Sequence, residues 1–317
     1  MNVEECRLAS PLGAEKSWKE WGPYLSERQW GTVREDYTRS GDAWNAITHD
    51  MSRHYAYRWG EDGIAGFSDH KARICMSLAL WNGKDDILKE RLYGLSNPEG
   101  NHGEDVKEIY YYLDATPTHS YGKMLYKYPQ AAFPYGALVS ENKKRGKHDR
   151  EFELEDTGVF DEDRYFDVVV EHAKSSQLDI HMRVTVTNRG PEEAPLWLIP
   201  QTLFRNTWSS GKCKKPNLKA VDEQTAHLSH EELDDYLWHC PDADELIYCD
   251  NETDRELLKI GENKSKYPKN SFHRFICESN RDSVNPDKEG TKVGAVHRMV
   301  LQSGGITYYY LTHACCC

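Results

Sequence analysis

Residues 180–187, IHMRVTVT, place Ile180, Met182, Val184 and Val186 at every second position with polar neighbours between them. A period of two sends successive side chains to opposite faces of an extended chain, so the segment predicts a strand half in a core and half in water. Asn188-Arg189-Gly190-Pro191 supplies a turn and residues 195–199 a return strand. Just upstream, residues 165–171 read as another strand, and a second hairpin is expected from residues 293–301 through Ser303-Gly304-Gly305 to residues 306–312. Strands at this spacing, with turn residues between them, indicate a sandwich. The fold class read from the pattern is mainly β.

The first half is mixed. Residues 73–81 alternate Ile74, Met76, Leu78 and Leu80 and read as a strand ending at Asn82-Gly83. A short helix is expected from Asp85 or Asp86, with Ile87, Leu88 and Leu92 on one face and Gly94 ending it. A second helix is expected over residues 118–128, where Tyr121, Met124, Leu125 and Tyr128 share helical spacing and Pro129 follows. Residues 140–163 are charged connecting sequence, residues 205–212 a polar loop, and residues 220–265 show no clear period.

Composition narrows the function classes. Among 317 residues, 9 Trp, 19 Tyr and 8 Phe give enough bulk to fold around, which disordered chains lack. Asp and Glu outnumber Lys and Arg by 52 to 40, and the lone basic cluster, residues 143–148, sits in a polar stretch, so a nucleic-acid partner is disfavoured. The first 20 residues hold no signal-like apolar run, and no window approaches the ~18 apolar residues of a membrane span. A soluble, cytoplasmic protein without a membrane partner is expected. The sequons at Asn251 and Asn263 are then chance matches. Cys6, Cys75, Cys213, Cys240, Cys249 and Cys277 are scattered without a CxxC pair, against both a disulfide framework and a zinc ribbon. His239, Cys240 and Cys249 match no standard zinc spacing. The terminal Cys315-Cys316-Cys317 reads as a truncated or misread frame rather than a lipidation site.

Three motifs concentrate groups suited to sugars, which stack on aromatic faces and hydrogen-bond to Asp, Glu, Arg or Asn. They are WGTVREDY (30–37), YRWGEDG (57–63) and NHGEDVKE (101–108). Spacing alone favours a plainer role, with Trp30 and Trp59 in the core, carboxylates paired to Arg34 and Arg58, and residues 101–108 capping backbone N–H groups. Asp161, Glu162 and Asp163 suit a solvated strand entrance better than a calcium site. No nucleophile elbow, zinc-protease helix or dinucleotide fingerprint is present, and acid and base carboxylates cannot be chosen from 52 candidates by sequence distance.

Taken in order, the same segments resemble the bacterial-type branch of glycoside hydrolase family 63, the mannosyl-oligosaccharide (processing) α-glucosidases. The resemblance is carried by WGTVREDY (30–37), GDAW (41–44), YRWGEDGIAGFSD (57–69), LALWNGKDDILKERLYGL (78–95), NHGEDVKE (101–108) and LDATPTHSYGKMLYKYPQAAFPY (113–135). It continues through TGVFDEDRYFDV (157–168), VTNRGPEEAPL (186–196), FRNTW (204–208) and VNPDKEGTKV (284–293). The resemblance implies an amino-terminal super-β-sandwich that packs, in full-length relatives, on an (α/α)6 barrel carrying the acid and base of an inverting α-glycosidase. That barrel is absent here, so no catalytic residue is assigned to this chain.

The resulting expectation is an amino-terminal segment over residues 1–26, a β-sandwich over 27–312 with helical excursions near 85–135, and a Cys-rich tail over 313–317. The chain would be the non-catalytic domain of an α-glucosidase-like enzyme, inactive alone, with carbohydrate and the barrel as partners. A stand-alone carbohydrate-binding or scaffolding sandwich is the alternative, and an orphaned domain should expose a large apolar docking patch. Arg58, Trp59, Glu61, Asp62, His102, Glu104 and Asp105 are the candidate substrate-binding residues. No cofactor or metal is assigned.

Overall fold

The computed structural model describes residues 2–9, 17–24, 45, 47–58, 63–101, 106–211 and 213–315. Two antiparallel sheets dominate. The first has the spatial order β1 (Trp21–Tyr24), β2 (Ile64–Asp69), β3 (Ile74–Trp81), β8 (Ala194–Phe204), β14 (Lys292–Leu301) and β12 (Glu245–Cys249). The second runs β13 (Glu289–Gly290), β9 (Asn217–Ala220), β10 (Thr225–Ser229), β11 (Tyr236–His239), β15 (Ile306–Cys315), β7 (Ile180–Asn188), β6 (Tyr165–Lys174), β5 (Tyr121–Pro129) and β4 (Ile109–Ala115). Among the described residues the α-helices are short: Val3–Leu8, His49–Ser52, Tyr135–Asn142 and Ser271–Ile276. No helix among them is long and apolar enough to cross a membrane.

The core lies between the sheets. Ile180, Met182, Val184 and Val186 of β7 turn inward, as the alternation requires, and meet Leu78, Leu80, Leu196 and Leu198 of the six-stranded sheet. Each such side chain, fully buried, contributes about 1.5–3 kcal/mol relative to exposure. The six-stranded sheet is also covered outside, where Phe272, Phe275 and Ile276 of the helix Ser271–Ile276 pack on Ala79, Ile199 and Val296. That second cover explains why β3 is buried on both faces rather than alternating.

Both expected hairpins are corrected. β7 and β8 belong to different sheets, and so do β14 and β15, so each turn carries the chain across the sandwich instead of folding it back beside itself. Alternation shows that a strand has one buried face; it does not tell whether the next strand lies alongside or opposite. The two crossings are tied together. The Asn188 side-chain amide donates to the carbonyls of Glu192 (2.7 Å) and Leu301 (2.8 Å), while its carbonyl oxygen accepts from Gly190 N–H (2.8 Å) and the Gln130 amide (2.6 Å). Replacing this fully buried residue, Asn188→Ala, orphans several of those groups and is expected to cost about 2–3 kcal/mol. Urea unfolding of the variant would read the loss directly, and an unchanged midpoint would show that the crossings hold without it.

Both expected helices of the first half are corrected as well. Residues 121–129 form β5, with Met124, Tyr126 and Tyr128 buried and Lys123, Leu125 and Lys127 on the other face. The period is two; Tyr121, Met124, Leu125 and Tyr128 only mimic a helical stripe because both faces carry large apolar groups. Residues 82–96 form irregular extended chain, with a single bridge from Lys89 to Leu80. Asp85 is not a helix cap there; its carboxylate accepts from the hydroxyls of Tyr128 and Tyr135.

Candidate functional site

Asn82 starts the site. Its side-chain amide donates to the carbonyls of Pro129 (2.7 Å) and Ala131 (2.8 Å), and its oxygen accepts from the N–H groups of Lys84 and Asp85. This fixes a tight turn after β3 and delivers residues 85–93 to the edge of the core. Asp85 is buried and accepts from the hydroxyls of Tyr128 (3.0 Å) and Tyr135 (2.8 Å). Lys89, also buried, donates to Glu108 at 2.6 Å and to the Tyr135 hydroxyl at 3.2 Å, with its ammonium 3.6 Å from the centre of the Phe133 ring. Glu108 completes the knot by accepting from Tyr93 N–H (3.0 Å) and the Tyr126 hydroxyl (2.9 Å). Burial raises the Glu108 carboxyl above the ordinary carboxylate value despite the opposing Lys89 charge. Burial, reinforced by Asp85 and Glu108, likewise holds Tyr126, Tyr128 and Tyr135 as hydroxyl donors.

A second knot lies alongside. Lys292 of β14 is fully buried, bonds Glu90 and places its ammonium 4.3 Å from the Phe272 ring centre. Burial pushes the Glu90 carboxyl up, but Lys292 and Lys269 outweigh it and hold the group below its usual range. Lys269 donates to the Tyr55 carbonyl (3.0 Å) and sits 3.6 Å over the Tyr57 ring. Asn251 clamps Tyr57 from the other side, accepting from its N–H (2.8 Å) and donating to its carbonyl (3.0 Å). Asn251 is therefore sealed in the interior, so the sequon at this position offers no accessible amide in the folded chain. Glu252 gathers Trp208, Ser209 and Asn206 from the polar loop after β8.

These contacts show which candidate residues the structure brings together. Arg58 is half-buried and directly follows the clamped Tyr57. Trp59, Glu61, Asp62, His102, Glu104 and Asp105 lie outside the described residues. Sequence reasoning missed Asp85, Lys89, Glu90, Glu108, Lys269 and Lys292. Five of these stand inside segments already singled out, and the signal was charge embedded in an aromatic, apolar run, as in Lys89 and Glu90 between Leu88 and Leu92.

His239, Cys240 and Cys249 do not converge: His239 faces Thr225, Cys240 lies 3.3 Å from His297, and Cys249 points to the Lys269 carbonyl. Among the described residues Cys6, Cys213, Cys240, Cys249 and Cys277 form no disulfide, and Cys315 is disulfide-bonded. The chemistry of the layer is that of a closed scaffold, because each carboxylate in it already accepts from a named donor.

No family model matches the chain. It is similar to a Saccharomyces cerevisiae protein, "Uncharacterized protein YMR196W", with 42% identity over 334 aligned positions. The match takes in 93% of this chain and 30% of that protein, so the chain spans less than a third of its relative's length. Among solved structures, Polysaccharide Lyase BACCELL_00875 matches 75% of this chain and 24% of its own at 10% identity, with a TM-score of 0.33. A likeness that low carries no assignment.

Proposed function

We propose that this chain is the amino-terminal, non-catalytic sandwich of a larger inverting glycoside hydrolase of the α-glucosidase type, acting on α-glucosyl oligosaccharides. The observation that carries the reading is the convergence of the resembling segments. Residues 78–95, 101–108 and 113–135 supply Asp85, Lys89, Glu108, Tyr126, Tyr128 and Tyr135 to one buried layer. Tyr57 of the segment 57–69 and Asn206 and Trp208 of 204–208 meet around Asn251 and Glu252. A set of motifs that builds one charged scaffold fits a domain whose task is to hold loops in place. The closed ion pairs support placing the acid and base outside the described residues. The yeast relative's much greater length supports a longer protein with further domains.

The test has two parts. An immunoblot of source cells should show a band well above 36.7 kDa. That longer protein should release glucose from α-glucosyl oligosaccharides with inversion, read by NMR of the fresh product, while the present chain alone releases none. A longer protein inert on such substrates, or hydrolysis by this chain, overturns the proposal.

A further inference from the structure

The outer face of the nine-stranded sheet carries a line of side chains running straight across five strands. Cross-strand partners place Tyr111, Leu125, Val169, Thr185 and Tyr308 in register from β4 to β15. At the usual inter-strand spacing of about 4.8 Å the line is about 19 Å long. Its floor is half-buried, whereas Tyr111 is 51% and Tyr308 63% exposed at the two ends. Tyr310 stands beside Tyr308, with ring centres 5.6 Å apart.

Polar rows flank the line. On one side Arg183 bonds Glu171 at 2.7 Å, and Glu171 also accepts from the Tyr121 hydroxyl at 2.6 Å. On the other, Asp167 accepts from both Lys127 and Arg189 at 2.6 Å. With Lys123 opposite Asp114, the two rows hold four cations against three carboxylates, close to neutral. A protein docking face needs a broad, continuous apolar patch; here the exposed apolar groups are split between Tyr111 on β4 and Ile306, Tyr308 and Tyr310 on β15, with a half-buried stretch bordered by ion pairs between them. A polyanion needs a basic surplus, which the internal pairing removes. The remaining chemistry is a neutral chain with apolar ring faces and polar edges.

We infer that this face binds a linear neutral oligosaccharide, with sugar rings stacking on Tyr308 and Tyr111 and hydroxyls meeting the flanking Arg183–Glu171 and Lys127–Asp167 pairs. Both kinds of group remain able to donate or accept one further bond while paired. The inference goes beyond the proposed hydrolase function. It is measured on this chain alone, so either can fail without the other.

Calorimetric titration with maltoheptaose, cellohexaose and mannohexaose tests it. At least one should bind saturably and independently of salt. Tyr308→Ala should weaken that binding by about tenfold, in keeping with a lost aromatic stack, and Tyr308→Phe should retain it. Because Tyr308 is exposed, its circular dichroism and melting should match the parent; should the variant unfold, Tyr111→Ala reads the opposite end of the line. Absence of saturable binding to all three sugars, binding unchanged in the alanine variants, or binding confined to dextran sulfate and abolished by salt overturns the inference.

Discussion

Lowering the pH from 7.5 to 5.0 is expected to destabilise this sandwich by about 6 kcal/mol. His313 of β15 is fully buried between Trp21 and Tyr236, and among the described residues neither ring nitrogen has a hydrogen-bond partner. Burial lowers its pKa to about 3. His172 of β6 stacks on Phe67 with ring centres 4.5 Å apart, and burial lowers its pKa to about 4. Burial, with help from the neighbouring Arg53 charge, brings His54 to about 3. His49 and His297 are shifted the same way, again chiefly by burial.

A ring kept neutral in the folded chain takes up a proton on unfolding once the pH falls below about 6.5. Stability is therefore full above that value and is lost as the pH falls towards the folded pKa values of about 3 to 4. Each group costs about 1.4 kcal/mol per pH unit, or about 2 kcal/mol at pH 5, and three together about 6 kcal/mol against a typical total of about 5–15. Glu108, with its raised pKa, works in the opposite direction by a single proton and does not reverse the sum. Urea midpoints at pH 7.5, 6.0 and 5.0, followed by tryptophan fluorescence, should fall steeply. His313→Leu should reduce the slope by about one proton and gain most at pH 5. A midpoint independent of pH over this range would exclude the account.

The histidines also show what a sequence makes legible. His313 and His181 look alike as letters, yet one faces the core and the other lies on the outer face, and only strand register separates them. Register on β7 was readable because polar residues mark every outward position. On β5 it was not, because Leu125 faces outward among lysines and disguises the period. β10, β11 and β12 run four or five residues each, too few for a period to emerge from residues 220–265. The segment after β3 failed for a different reason. Amphipathic logic assigns charge to water, so Asp85, Lys89 and Glu90 beside Leu88 and Leu92 suggested a helix with a wet face. In the fold those charges point inward, to partners 19 residues away at Glu108 and 202 away at Lys292. Pairings at such distances are decided by tertiary structure, as is the assignment of successive strands to opposite sheets.

Removing either partner of the Glu90–Lys292 pair should be among the most damaging single changes in the chain. Lys292→Met leaves the Glu90 carboxylate buried with only the more distant Lys269 and Arg91 to balance it. Loss of one member of a buried ion pair typically costs about 3–5 kcal/mol, since the remaining charge keeps its desolvation penalty without its Coulombic return. Glu90→Gln should cost a similar amount by stranding Lys292 against the Phe272 ring. The double variant Glu90→Met with Lys292→Met should recover most of the loss, because apolar replacement of a whole buried pair is commonly neutral or stabilising. That recovery separates two reasons for the pair's presence. If the double variant is stable and keeps the parent's near-UV circular dichroism, the pair serves folding specificity alone. If it is stable but that spectrum changes, the pair holds the segment around residues 85–93 in its packed geometry. A double variant as unstable as either single one would defeat the ion-pair account and point to the lysine's aliphatic stem and its packing on Phe272 instead.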